Sequence, residues 1–325
     1  MYWIVIENTS SNVQNILNVT EEGYEKLYLI LYELDMPINR IATQVSGLHD
    51  ALERKEWIKF FNWLSAIPYA KHHGAKSELL LSGSCQWLFA KPVFLDWKRS
   101  SASSILWLHG IPGSGKSMLT CSVIKRFQEM YKSPDSSLLF AYFYCSWDTA
   151  EPTCADPDHV LRSILMELSS SDMDAPIRQP AVLAYRERLR EARGGRPEDL
   201  TLKECTTAIV KILEDSPAII VIEALDECDA VRRQDLILAL RQIIRESPSV
   251  VKIFLSSRDD RDIVTKMRTA SEVYIKAKDN SVDIKNFVVS QVEKAIEEER
   301  ILNGKVSESL KADIIDTLIN KANGM

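Results

Sequence analysis

"GIPGSGKS", residues Gly110 to Ser117, decides how this chain is read. It meets the pattern G-x-x-x-x-G-K-[ST] at every fixed position, a coincidence on the order of 1% in a chain of this length. The flanks add to it. "ILWLH" (105–109) ahead of it is an apolar run of strand type, and "SMLTCSVIKRF" behind it has helical amphipathic spacing. Strand, glycine turn and helix form the setting in which this pattern wraps a polyphosphate. Gly110, Gly113 and Gly115 let the backbone curl where side chains would collide or forbid the dihedrals. The loop, which also holds Ile111, Pro112 and Ser114, then points its amides and a helix N-terminus at negative charge. Lys116 is expected to reach the β- and γ-phosphates and Ser117 to offer its hydroxyl to Mg²⁺. The bland alternative is a glycine turn ahead of a helix.

A phosphate loop needs a second strand ending in an acid beside the metal. "AIIVIEALDECDA" (218–230) supplies one, with Glu223 at the metal position and Asp226 and Glu227 on the following turn. One of those two carboxylates would orient and deprotonate an attacking water. The competing reading is that acids after a strand favour the N-terminus of the next helix. "VKIFLSSRDD" ends in Arg258, which either faces the γ-phosphate or is a surface arginine paired with Asp259 or Asp260.

From Ser101 onward, short apolar runs alternate with amphipathic segments, the βαβα signature of an α/β fold with a parallel sheet flanked by helices. The predicted strands are 105–109, 138–145, 218–223, 251–257 and 272–277. Helical spacing covers 118–131, 160–169, 181–192, 202–214 and 232–245. Beyond Lys278 only helical patterns follow, with Asp279-Asn280-Ser281 as a boundary and helix cap. Residues 1–80 read as helical, with Ile41, Val45, Leu48, Leu52, Trp57, Phe60, Phe61 and Leu64 forming an apolar stripe. That stripe suits either a small bundle or a partner-binding segment. The expected division is 1–80 effector or linker, 81–278 phosphate-loop domain, and 279–325 the start of a helical subdomain.

Composition bounds the partners. The chain has 325 residues and a formal net charge of −6, so no global basic field draws it to nucleic acid. No apolar run reaches the ~18–20 residues of a membrane span, and the N-terminus lacks signal-peptide features. The six cysteines are scattered without a C-x-x-C pair, which reads as free thiols in a reducing cytoplasm. His72-His73 reads as a solvated pair, since no carboxylate or cysteine stands at ligand spacing nearby.

As a set, these residues resemble the NACHT class of STAND NTPases. The closest likeness is the nephrocystin-like N-terminal NTPase module of fungal NLR-like and heterokaryon-incompatibility proteins. The family's "G-[ST]-x-x-W-L" element is similar to "SGSCQWLFAKPVFLDW" (82–97), and "FAYFYCSWD" and "RSILMEL" resemble its second strand and the helix after it. Its acid strand reads D-A-L-D-E-C, against Glu223-Ala224-Leu225-Asp226-Glu227-Cys228 here. The resemblance spans roughly 56–325 and implies an ATP- or GTP-binding, Mg²⁺-dependent signalling switch with slow hydrolysis. It also implies self-association or a protein partner through the N-terminal helices, in immunity or self/non-self recognition. Two departures stand out. Glu223 replaces the family aspartate, and the chain stops at "INKANGM", where family members continue, so the expectation is either a truncation or a short natural protein that has lost its sensor. Two other readings stay open: a nucleotide-binding scaffold without turnover, and a small-acceptor kinase using arginines of 178–196 as a lid.

Overall fold

The alternating apolar runs become five parallel strands: β1 Ser104–His109, β2 Leu139–Tyr144, β3 Ala218–Glu223, β4 Val251–Ser257 and β5 Ser271–Tyr274. Every residue of β2, β3 and β4 is buried, which requires cover on both faces of the sheet. The computed structural model describes residues 23, 25–26, 54–65, 67, 69–131, 137–148, 151–170 and 176–322. It divides into two compact units, Met1–Phe60 and Phe61–Met325. In the first, residues 54–60 are helical; the stripe expected at Ile41, Val45, Leu48 and Leu52 lies outside the described residues.

The second unit holds the sheet, in the order β2-β3-β4-β1-β5. Its helices are α1 Tyr69–Glu78, α2 Gln86–Ala90, α3 Pro92–Arg99, α4 Lys116–Tyr131, α5 Pro157–Ser169, α6 Gln179–Glu191, α7 Leu202–Ile212, α8 Arg233–Glu246, α9 Arg261–Met267, α10 Ser281–Glu297 and α11 Glu308–Ala322. The strands expected at 218–223 and 251–257 match to the residue. The α4 pattern works as amphipathic spacing should: Leu119, Val123, Ile124 and Phe127 are buried, and the helix packs on β2, β3 and β4 with α1 beside it. Helices α5, α7 and α8 pack on one another, α5 reaching β2 and α8 reaching β4. Local caps fix where they start. Asp156 accepts the Asp158 amide at α5, and Thr201 and Glu204 form a capping box at α7.

The helix boundary expected at 279–281 holds with one difference, and one local expectation needs correction. Asn280 sits at the cap position of α10, yet its side chain does not cap the helix. Its Nδ2 instead donates to the Ser114 carbonyl at 3.1 Å, tying α10 to the glycine loop. His72-His73 is not a solvated pair either, because His73 is buried and its Nδ1 lies 2.8 Å from the Tyr144 hydroxyl.

Register explains how distant residues meet. Leu255 of β4 lies level with Trp107 of β1 on one side and Ile222 of β3 on the other. Glu223 therefore stands level with Leu108, two residues below the start of the glycine loop. In an open parallel sheet the carboxyl ends of the strands form the binding edge.

Candidate functional site

The loop from β1 to α4 turns through Gly113 (φ 78°) and Gly115 (φ 86°), backbone conformations that any L-side chain would strain. Lys116 begins α4 and folds back, its ammonium donating to the carbonyls of Gly110 and Ile111 at 2.8 Å each. Burial holds Lys116 below the usual lysine range, with Asp226 pulling the other way and Arg258 adding to the depression.

One residue along, the Ser117 hydroxyl donates to Oε1 of Glu223. Glu223 is buried, 2% exposed, and its Oε2 lies 3.6 Å from the Lys76 ammonium. Lys76 also sits 4.9 Å from the centroid of the Tyr144 ring. Burial pushes the Glu223 carboxyl above its ordinary range, and Lys76 and Ser117 offset part of that rise.

Beyond Glu223 the chain reverses sharply. Ala224 takes the left-handed conformation (φ 55°, ψ 49°), which a small residue tolerates best, and its amide donates to Ser256 Oγ at 3.1 Å. The turn Leu225–Glu227 then brings the two later acids to the mouth. Asp226 accepts the Arg258 amide at 3.0 Å and stands 3.2 Å from Arg258 Nε. Glu227 accepts the Trp147 amide at 3.3 Å. Arg258 is thus paired with Asp226, while Asp259 lies 2.6 Å from His109 Nδ1 and Asp260 lies 2.9 Å from Arg233. Arg233 is itself buried; it also binds Asp262 and donates to the Asp226 carbonyl at 2.9 Å. It clamps the acid turn to the loop after β4.

Lys76, Lys116, Ser117, Glu223, Asp226 and Arg258 line a cleft of about 620 Å³. The size suits a small-molecule site. A second cavity of about 370 Å³ shares Gly113, Gly115 and Met118 with it, and its other walls include Leu79, Leu81, Trp87, Phe287 and Val288. Trp87 belongs to the "GSCQWL" element, which gives that stretch a physical purpose. Sequence reading missed Lys76 and the tie from Asn280 to the glycine loop, because one cation or amide in a helical segment leaves no periodic pattern.

The donor set fits the groups the loop implies. A buried carboxylate beside a serine hydroxyl, with a lysine as its ion-pair partner, is a hard-oxygen seat of the kind Mg²⁺ takes. A cation satisfied only by loop carbonyls is free to move to phosphate oxygens. Of the arginines of 178–196, none lines the cleft, so the lid expected of a small-acceptor kinase is absent from its walls. No described helix is long and apolar enough to cross a membrane.

Comparison with known proteins places the chain in a family. The chain is 30% identical over 203 residues to vegetative incompatibility protein HET-E-1 of Podospora anserina, covering 61% of this chain and 14% of that relative's length. Among solved structures, Aeropyrum pernix ORC2 aligns at 12% identity and a TM-score of 0.40, covering 78% of this chain and 68% of its own. Domain III of Thermotoga maritima DnaA aligns at 13% identity and 0.37, covering 76% and 84%. Both structural likenesses are loose and carry no weight here. The family model described as "Nephrocystin 3, N-terminal" matches residues 83–258, more than half of the chain and the stretch from the "GSCQWL" element through Arg258. This chain belongs to the nephrocystin 3 N-terminal family.

Proposed function

We propose that the second unit binds ATP or GTP with Mg²⁺ and serves as a slow nucleotide-dependent switch. The observation that carries this is the Ser117 hydroxyl set against the buried Glu223 carboxylate, directly after the glycine loop. Lys116 would exchange the Gly110 and Ile111 carbonyls for phosphate oxygens, and the loop amides would hold the remaining charge. Mg²⁺, when bound, supplies positive charge to the phosphates from its place on Ser117 and Glu223. Lys76 must then release Glu223. The base is assigned to the apolar cavity beside Trp87 and Phe287, which offers stacking surfaces and leaves the choice between adenine and guanine open.

Asp226 or Glu227 would take the proton of an attacking water. Asp226 is engaged by Arg258, and Glu227 by a backbone amide. Arg258, half exposed at the rim, would leave Asp226 for a γ-phosphate, so the triphosphate form differs from the diphosphate form at that pair. Glu223 is one methylene longer than an aspartate, which sets the carboxylate differently and supports slow turnover. We assign residues 1–60 to self-association or partner binding and the second unit to nucleotide, wider than the expected 81–278 because Lys76 and Phe287 line its two cavities, in a cytoplasmic protein. The likeness to an incompatibility protein supports a role in immunity or self/non-self recognition. A switch acts only through differential affinity of its two states. Sedimentation of the full chain with Mg²⁺ and a non-hydrolysable triphosphate, against the diphosphate, tests this. A larger species with the triphosphate alone is expected; identical distributions would sink the switch.

One observation favours a second reading, a binding scaffold without turnover: the Lys76 ammonium on Glu223 competes with metal. Phosphate release by Lys76→Met and Glu223→Asp separates the two. A rise in either variant from a measurable baseline supports the switch, and no release in any form supports the scaffold.

A further inference from the structure

The fold brings together three residues that the nucleotide reading does not use. His72 lies on α1, Glu151 precedes the turn Pro152–Ala155, and Cys154 lies within that turn. His72 Nε2 is 2.8 Å from Glu151 Oε2, and Cys154 Sγ is 3.7 Å from the same oxygen. One ligand atom from each residue falls within 4.8 Å of the others. More than seventy residues separate His72 from the other two, so sequence spacing could not show the cluster.

The donors are held in place. The Cys154 amide donates to the Glu151 carbonyl at 3.0 Å, and the Cys154 carbonyl accepts the Ser146 amide at 3.4 Å. The Ala155 carbonyl accepts the Asp229 amide at 2.8 Å and the Cys228 thiol at 3.1 Å, anchoring the turn to the acid loop. Cys154 is fully buried, whereas His72 and Glu151 are partly open and line the nucleotide cleft. A solvated ion pair would account for His72 and Glu151 alone. It would leave a buried thiol aimed at the same carboxylate without a purpose.

We infer that His72, Glu151 and Cys154 form a transition-metal site, selective for Zn²⁺ over Mg²⁺, at the rim of the nucleotide cleft. One nitrogen, one oxygen and one sulfur is a borderline-soft set. Zn²⁺ takes such ligands in a tetrahedron with room for water at the fourth position, while Mg²⁺ does not take thiolate. Tetrahedral Zn–N, Zn–O and Zn–S bonds place donors roughly 3.3–3.6 Å apart, so the observed cluster closes with a shift of about an ångström at its widest gap. As the Zn–S bond forms, the thiol proton leaves to solvent. The bound metal would tie α1 to the loop after β2. Lys76, four residues on from His72 and so on the same helical face, would be held over Glu223.

The test uses the metal alone, without nucleotide, so it stands apart from the switch reading. The metal-free full chain is titrated with Co²⁺ and then Zn²⁺. We expect one equivalent of Co²⁺ to give a thiolate-to-cobalt charge-transfer band and visible d–d bands, both displaced by Zn²⁺ but not by millimolar Mg²⁺. Cys154→Ser should abolish the charge-transfer band, and His72→Gln, at a partly open position, should weaken Zn²⁺ roughly 100-fold or more. Cys205→Ser, a buried cysteine elsewhere, should keep both signals. Absence of the charge-transfer band from the parent protein, or undiminished Zn²⁺ affinity in Cys154→Ser and His72→Gln, would overturn the site and leave an ion pair.

Discussion

Two cavities meet at Gly113–Gly115, and they differ in almost everything else. The larger is charged, walled by Lys116 and Ser117, which follow β1, and by Glu223 and Asp226 at the end of β3, the two strands flanking β4. The smaller is apolar, walled by Trp87, Phe287 and Val288, which come from helices about 200 residues apart in sequence. The contrast shows where specificity arises. Phosphate and metal chemistry needs fixed donors at fixed spacing, so it imposes a motif. An apolar wall needs only surface, which any distant helix can supply.

Substitutions separate the two sides. The largest effect is expected for Gly115→Val. A Cβ there meets nothing within 4 Å, so strain from the positive φ alone acts. The loop should lose its shape and nucleotide affinity should fall more than about 100-fold by calorimetry, with the sheet intact by circular dichroism. A loop that still binds would show that the glycine turn is not the cradle.

Glu223→Gln should come next. The glutamine oxygen can still accept from Ser117, but the anionic charge is gone, so added Mg²⁺ should no longer tighten nucleotide binding. Burial raises the Glu223 carboxyl in the folded state. Between the ordinary glutamate range and that raised value the folded protein therefore holds more protons than the unfolded chain. Stability from this group must fall as pH rises through the window. Glu223→Gln should flatten that slope in denaturant melts taken across pH 4 to 8. An unchanged slope would mean that the carboxylate is not the buried group titrating.

Phe287→Ala probes the apolar side. The side chain is 46% exposed, so the fold should survive. Losing a stacking surface, about 1–3 kcal/mol per base, should weaken nucleotide roughly tenfold and leave the Mg²⁺ dependence untouched. Loss of Mg²⁺ dependence here would erase the distinction between the cavities. The smallest effect is expected for Arg258→Ala. Arg258 is half exposed but the Asp226 side chain is only 7% exposed; that carboxylate keeps the Arg258 amide, so the melt should move by about 1 kcal/mol. The change should be in triphosphate-over-diphosphate preference, and an unaltered preference would place Arg258 outside the readout.

How much of this was legible followed the same division. The strands at 218–223 and 251–257 were readable because burial on both faces demands an unbroken apolar run. The positions of Glu223, Asp226 and Glu227 were readable because the first ends such a strand and the others lie on the turn after it. Lys76 and Asn280 were not, since one cation or amide in a polar helix gives no periodic signal. The boundary at 279–281 was legible, since Asn280 holds the cap position of α10, but the use of its side chain on a carbonyl of the glycine loop was not. The His72, Glu151 and Cys154 cluster was invisible for a third reason: only tertiary packing of α1 against the sheet brings it together.

The most direct test of the central claim is calorimetric titration of the full chain with ATP and with GTP, each with and without Mg²⁺, beside Lys116→Ala. We predict one site per chain for at least one of the two nucleotides, tighter with Mg²⁺ and lost in Lys116→Ala. Binding of neither nucleotide, or equal binding by parent and variant, would contradict it.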